Sequence, residues 1–138
     1  MTQKEVVDLW LNGAEDAWLT AQSLISSKRY HHSLFFAQLH LEKLLKAITY
    51  HLTDNHPLTT HNLVLLAKKI NISLTPDQEN ELREITAFNI SARYEDHKQQ
   101  LYRKATEEFT SHWLEATTKL SDYFKSFLSK WANKTLYR

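Results

Sequence analysis

The stretch Leu34-Phe35-Phe36-Ala37-Gln38-Leu39-His40-Leu41-Glu42-Lys43-Leu44-Leu45-Lys46-Ala47-Ile48 decides the fold. Its apolar residues Leu34, Phe35, Leu39, Leu41, Leu44, Leu45 and Ile48 recur at helical spacing and cover more than one face of a helix. A helix that apolar must pack on several neighbours or on a partner chain. The spacing predicts a helix from about His31 to about Leu52, closed by the loop Thr53-Asp54-Asn55-His56-Pro57.

Upstream, Trp10, Ala14, Ala17, Trp18, Ala21, Leu24 and Ile25 form one apolar stripe, predicting a helix from about Glu5 to about Ser27. Thr2 and Glu5 have the spacing of a capping box, and Lys28 and Arg29 suit the C-terminal end. Downstream, a short helix is expected from about Asn62 to about Lys69, with Thr60 as a cap. Thr75-Pro76-Asp77-Gln78 then opens a helix to Phe88, because Thr caps well, Pro fits the first helical position and an acid follows. Residues from Asn89 to about Ala105 are polar and poorly periodic. Thr106-Glu107-Glu108 opens a last helix whose stripe runs from Phe109 through Trp113, Leu120 and Phe124 to Trp131. The expected fold is therefore all-α, an up-and-down bundle of about five helices, three long and two short, in one domain over 1–138.

Composition agrees with that class. The chain has 138 residues, one glycine (Gly13) and two prolines, Pro57 and Pro76, far too few turn formers for a β-rich fold. It has no cysteine, which excludes disulfides and thiolate metal sites and fits a reducing cytoplasm. There is no run of about 18 apolar residues, so no membrane span is expected. Met1-Thr2-Gln3-Lys4-Glu5 lacks the basic start and short apolar block of a signal peptide. One glycine cannot build a glycine-rich phosphate loop. Lys plus Arg (17) nearly balance Asp plus Glu (16), unlike a duplex-binding module. Only near the C-terminus do Lys119, Lys125, Lys130, Lys134 and Arg138 face Asp122 alone, either as a solvated helix face or as a local phosphate-binding surface. The eight histidines show no recognised zinc spacing, so neither a metal nor another cofactor is expected. His31 and His32 diverge on a helix, and His51, His56 and His61 lie across a loop where they could meet.

Several segments, taken in order, resemble the HEPN domain. They are Ala14-Glu15-Asp16-Ala17 and Leu24-Ile25; Tyr30-His31-His32-Ser33-Leu34-Phe35-Phe36-Ala37-Gln38 and Leu41-Glu42-Lys43-Leu44-Leu45-Lys46-Ala47; Thr60-His61-Asn62-Leu63; and Ala92-Arg93-Tyr94-Glu95-Asp96. The match covers roughly Val6 to Phe127. The resemblance implies a bundle that dimerises and is linked to a separate nucleotidyltransferase, in some cases as a toxin–antitoxin pair. It also implies that some members are metal-independent RNases, which carry an arginine followed after four to six residues by a histidine.

Arg93 and His97 are the pair that could serve that chemistry. A neutral histidine takes a proton from a ribose 2′-hydroxyl, and an arginine fork neutralises charge on the phosphorus. Here only Tyr94, Glu95 and Asp96 separate them, and Tyr94 stands where enzymatic members carry a polar residue, often Asn. The structural alternative pairs Arg93 with Glu42 or another acid of the second helix, with Tyr94 half-buried and its hydroxyl bonded. Glu42 and Lys46 form either a helix-stabilising ion pair or a site in which Lys46 meets a phosphate. His61 either anchors the short helix or joins a cleft as a donor. The expected function is a dimeric module in which Lys46, His61, Arg93 and Tyr94 line a polar cleft for nucleotide or RNA. The alternative is an RNase using Arg93 and His97.

Overall fold

The structure, a computed structural model, describes residues 1–136, with residues 129–136 as helical backbone only. Six helices follow one another: α1 (Gln3–Ser26), α2 (Tyr30–Thr53), α3 (Leu63–Lys69), α4 (Pro76–Ser91), α5 (Glu95–Lys104) and α6 (Glu107–Leu136). No strand occurs among the described residues.

Local chemistry sets the helix ends. The Thr2 hydroxyl accepts from the Glu5 amide at α1, and the Asn62 side chain accepts from the Leu65 amide at α3. At α4 the Thr75 hydroxyl accepts from the Gln78 amide while the Gln78 side chain accepts from the Thr75 amide, a complete capping box with Pro76 beside it. Lys28 (φ 64°) and Asp54 (φ 54°) take left-handed conformations just after α1 and at the end of α2, stopping both helices without a glycine. Gln3 at the start of α1 donates to the carbonyls of Tyr50 and His51, tying α1 to the C-terminal turn of α2, where the Tyr50 carbonyl also accepts from the Asp54 amide.

α2 is the central post. Leu34, Leu41, Leu44, Leu45 and Ile48 are all buried, and α2 packs on each of the other five helices. Most of its apolar surface is thus covered within the chain, while Phe35 and Leu39 stay partly exposed. Each such side chain contributes about 1.5–3 kcal/mol on burial. Ala14, Ala17 and Ala21 face α2 along α1, small enough to let the two backbones close, and the Ser33 hydroxyl donates to the Ala21 carbonyl at 2.7 Å. Leu63 and Leu66 of α3, Leu82 and Ile85 of α4, and Leu120 and Phe124 of α6 complete the main cluster.

Two expectations are corrected. The bundle has six helices, because the polar stretch after Asn89 contains α5. Within α5 only Leu101 is buried, so periodicity gave no stripe to read; acids at Glu95 and Asp96 and bases at Arg103 and Lys104 oppose the helix dipole correctly at both ends. α4 also runs on past Phe88 to Ser91, because Asn89, though polar, is buried. No helix among the described residues is long and apolar enough to cross a membrane.

Candidate anion-binding site

Gln38, Glu42 and Lys46 lie one turn apart on α2, on a face that burial of Leu34, Leu41 and Leu45 turns inward. The Glu42 carboxylate, 6% exposed, accepts from Lys46 Nζ at 3.0 Å, from Gln38 Nε2 at 3.1 Å and from His61 Nδ1 at 2.7 Å. Burial alone would raise this carboxyl, but the hydrogen bonds from His61, Gln38 and Lys46, with the Lys46 charge, outweigh it and hold the group below its ordinary value. Lys46 is buried too and lies 5.7 Å from the centre of the Trp10 ring. Its charge is therefore committed inside the chain.

The same residues close a ring. Gln38 Nε2 also donates to the His61 carbonyl at 3.0 Å, and Gln38 Oε1 accepts from Asn89 Nδ2 at 2.8 Å. Asn89 Oδ1 accepts from Arg93 Nε at 2.9 Å, and Arg93 Nη2 lies 2.8 Å from His61 Nε2. A guanidinium only donates and a carboxylate only accepts. Arg93 and Glu42 are thus the two poles of the ring, joined by one path through His61 and another through Asn89 and Gln38. This polarity fixes every ambiguous group. Both amides have one orientation, and His61 is the neutral tautomer with its proton on Nδ1 and its lone pair on Nε2.

Outside the ring, Arg93 is exposed and borders a 380 Å³ groove between α2, α4 and α5. Lys98, His31, His32, Phe35 and Phe36 also line it. The rings of His31 and His32 lie 3.9 Å apart, contrary to the expectation that they diverge. They sit in the first turn of α2, where no preceding turn crowds the side chains. Burial, reinforced by His32, Lys98 and Arg29, makes His31 harder to protonate than usual.

Tyr94 is 61% exposed, not half-buried, and its ring stands edge-on to His97 at 6.2 Å. Tyr94 is the extended residue before α5 (φ −115°, ψ 127°), so it leaves the bundle surface instead of pinning it. That break also means that Arg93 and His97 do not share a helix. His97 borders a separate 410 Å³ groove with Tyr94 and Ile90, and Arg93 does not line it. Arg93 reaches Glu42 through His61 rather than by a direct ion pair. His56 packs against Tyr50 at 5.6 Å and His51 lines a groove beside Gln3, so the three loop histidines do not meet. Among the described residues no group of three or more His, Asp and Glu is placed to hold a metal ion. Lys119 pairs with Glu115 at 3.7 Å as a solvated helix pair; the side chains of Lys130 and Lys134, and Arg138, lie outside the described residues.

Of the ring, sequence reasoning named Glu42, His61 and Arg93 and missed Gln38 and Asn89. A signal was present: Asn89 follows Leu82 and Ile85 at the spacing of an inward face, and Arg93 follows Asn89 by one turn.

Residues 7–127 match the family described as HEPN domain. Among solved structures, the chain is similar to the crystal structure of TT1696 from Thermus thermophilus, with a TM-score of 0.74 and 20% identity over 88% of this chain and 97% of that one. That likeness is one of fold. No curated protein matches the chain.

Proposed function

This chain belongs to the HEPN domain family, and from that premise we propose that it is a dimeric module that holds a phosphate of a nucleotide or nucleic acid on Arg93 and works with a separate nucleotidyltransferase, in an arrangement of toxin–antitoxin type. One observation carries the phosphate reading. Asn89 and His61 take only part of the Arg93 fork, and the exposed remainder borders the groove that Lys98 also lines. A fork already held in place loses little freedom when it binds, and charge-assisted bonds to phosphate are about twice as strong as neutral ones. The buried Glu42 carboxylate supports the fork through His61 but is too enclosed to repel an anion at the surface.

Lys46 and Tyr94 have no part in this reading: Lys46 is turned to Glu42, and Tyr94 stands in solvent beside His97. The RNase alternative with Arg93 and His97 would need two copies of the chain, because one copy places them on different grooves.

Titration calorimetry with ATP and with a short RNA tests the proposal. Binding by the wild type that weakens at least tenfold in Arg93→Ala, with the fold intact by circular dichroism, is the expected result. Absence of binding by the wild type, or equal binding by the variant, removes Arg93 from the function. Co-purification of a nucleotidyltransferase encoded beside this chain tests the partner.

A further inference from the structure

The contact between Arg93 Nη2 and His61 Nε2 is a donor–acceptor pair 2.8 Å long at the protein surface, with the His61 side chain 43% exposed. The tautomer is forced: Arg93 offers only protons, so Nε2 carries the lone pair, and Glu42 holds the other ring nitrogen from behind. A ligand can replace this pair without loss of hydrogen bonds only if it presents a donor and an acceptor at about the same separation. A ribose 2′-hydroxyl beside a 3′-phosphate is such a unit. Its hydroxyl donates to Nε2 while a phosphate oxygen accepts from the guanidinium, exchanging one neutral acceptor for a charged one.

We infer that His61 is a specificity-determining residue that accepts the 2′-hydroxyl of a ribonucleotide whose 3′-phosphate lies on Arg93. This rests on the phosphate role of Arg93 proposed above. Three features of the ring favour it. Glu42 stops the imidazole from rotating, so Nε2 keeps its aim at Arg93 on the surface side. The bond from Gln38 Nε2 to the His61 carbonyl holds the backbone in place. Asn89 keeps Arg93 Nε occupied, so the fork can tilt toward a phosphate without leaving the site. A deoxyribose lacks the donor, and binding it would turn Nε2 from Arg93 to water. Because His61 is half-exposed, water compensates partly, and the preference for ribose amounts to about fivefold rather than the far larger ratios of enclosed sites. The 2′-hydroxyl is the group by which proteins distinguish RNA from DNA at a given position.

The experiment compares binding of adenosine 3′-monophosphate and 2′-deoxyadenosine 3′-monophosphate by titration calorimetry. Wild type should bind the ribose form about fivefold more tightly. His61→Ala should equalise the two, whereas Arg93→Ala should weaken both. His61→Asn, whose amide nitrogen can stand where Nδ1 does and donate to Glu42 while its short side chain places no acceptor at the position of Nε2, should also equalise them; it serves if the alanine variant fails to fold. Equal affinity of wild type for the two ligands, with both dependent on Arg93, overturns the role of His61 and leaves the phosphate site standing. A ribose preference that survives in a folded His61 variant overturns it likewise. If neither ligand binds, the phosphate reading falls with it.

Discussion

His40 and Ser121 are joined through a 2.8 Å hydrogen bond across the buried contact between α2 and α6. The other ring nitrogen of His40 lies 2.7 Å from the Ala14 carbonyl, so Nδ1 donates to α1 and Nε2 accepts the Ser121 hydroxyl. One neutral imidazole thereby ties three helices, with the Trp18 ring 5.4 Å away.

That arrangement predicts acid sensitivity. Burial, foremost, and Lys125 make His40 harder to protonate than its ordinary value of 6.5, while the Ala14 carbonyl and Glu15 oppose them only in part. Between the lowered folded value and 6.5 the unfolded chain binds a proton that the folded chain does not. Stability is therefore full above that window and falls as pH drops through it. His31 and His51 are lowered in the same direction by burial and add to the trend. Urea unfolding between pH 8 and 5 should show the loss, and His40→Gln should flatten it; an unchanged slope in that variant would assign the effect elsewhere.

Glu42 should be the costliest single polar residue to change. Glu42→Gln leaves Lys46 buried without its anion and His61 Nδ1 without a charged acceptor. Breaking a buried pair on one side costs about 3–5 kcal/mol. Glu42→Gln combined with Lys46→Met should recover much of that loss, since no charge is stranded. The acid limb has the opposite origin from that of His40. Because Glu42 is held below its ordinary value of 4.5, its contribution is present above that value and disappears as pH falls through the lowered folded value. Chemical unfolding of the two variants beside wild type at neutral pH and near pH 4 checks both statements.

The second path between the poles makes a separate prediction. Asn89 is 1% exposed and bridges Gln38 to Arg93, so Asn89→Leu strands the Gln38 carbonyl and frees Arg93 Nε. A loss of about 1–3 kcal/mol is expected from the unsatisfied amide. A double-mutant cycle with His61→Ala should show non-additivity of at least about 0.5 kcal/mol, the mark of one network; strict additivity would mean that the two paths act independently.

How much of this was legible depends on what burial does to a residue's signature. The five strongly punctuated or striped helices were readable because Thr75-Pro76 and the apolar spacing of α2 act locally. α5 was not, since Leu101 is its one buried residue and its helical state depends on docking to a surface made by distant segments. Glu42, His61 and Arg93 could be singled out as charged or titratable groups within the family pattern. Gln38 could not, because an amide looks the same in sequence whether it faces water or closes a ring, and for Asn89 the one signal was its spacing after Leu82 and Ile85. Tyr94 misled for a related reason: adjacency to Arg93 says nothing about direction once the backbone is extended between α4 and α5.

The RNase alternative has a direct test. With Arg93 and His97 on different grooves, a lone chain lacks the acid–base pair, and RNA incubated in EDTA with protein diluted to the monomer should remain intact. Cleavage that disappears in both His97→Ala and Arg93→Ala would instead place the pair across two copies. Cleavage unaffected by either would point to a contaminant or to other residues.

A second copy of the chain has apolar surface open to it beyond α2. Most of the apolar character of that helix, which in sequence could have meant a partner chain, is accounted for by five helices of the same chain, with Phe35 and Leu39 left partly exposed. Ile90 at 48% exposure and Tyr94 at 61% border one groove at the junction of α4 and α5, and a two-fold axis there would set the His97 grooves of two copies against each other. Sedimentation at micromolar concentration should give about 33 kDa, twice the 16.3 kDa of the chain. Ile90→Asp, which removes the exposed apolar side chain of that groove and adds a carboxylate beside Glu95 and Asp96, should shift the species to the monomer mass. A wild-type monomer would exclude a composite site of any kind, and a dimer that survives Ile90→Asp would move the interface away from the α4–α5 junction.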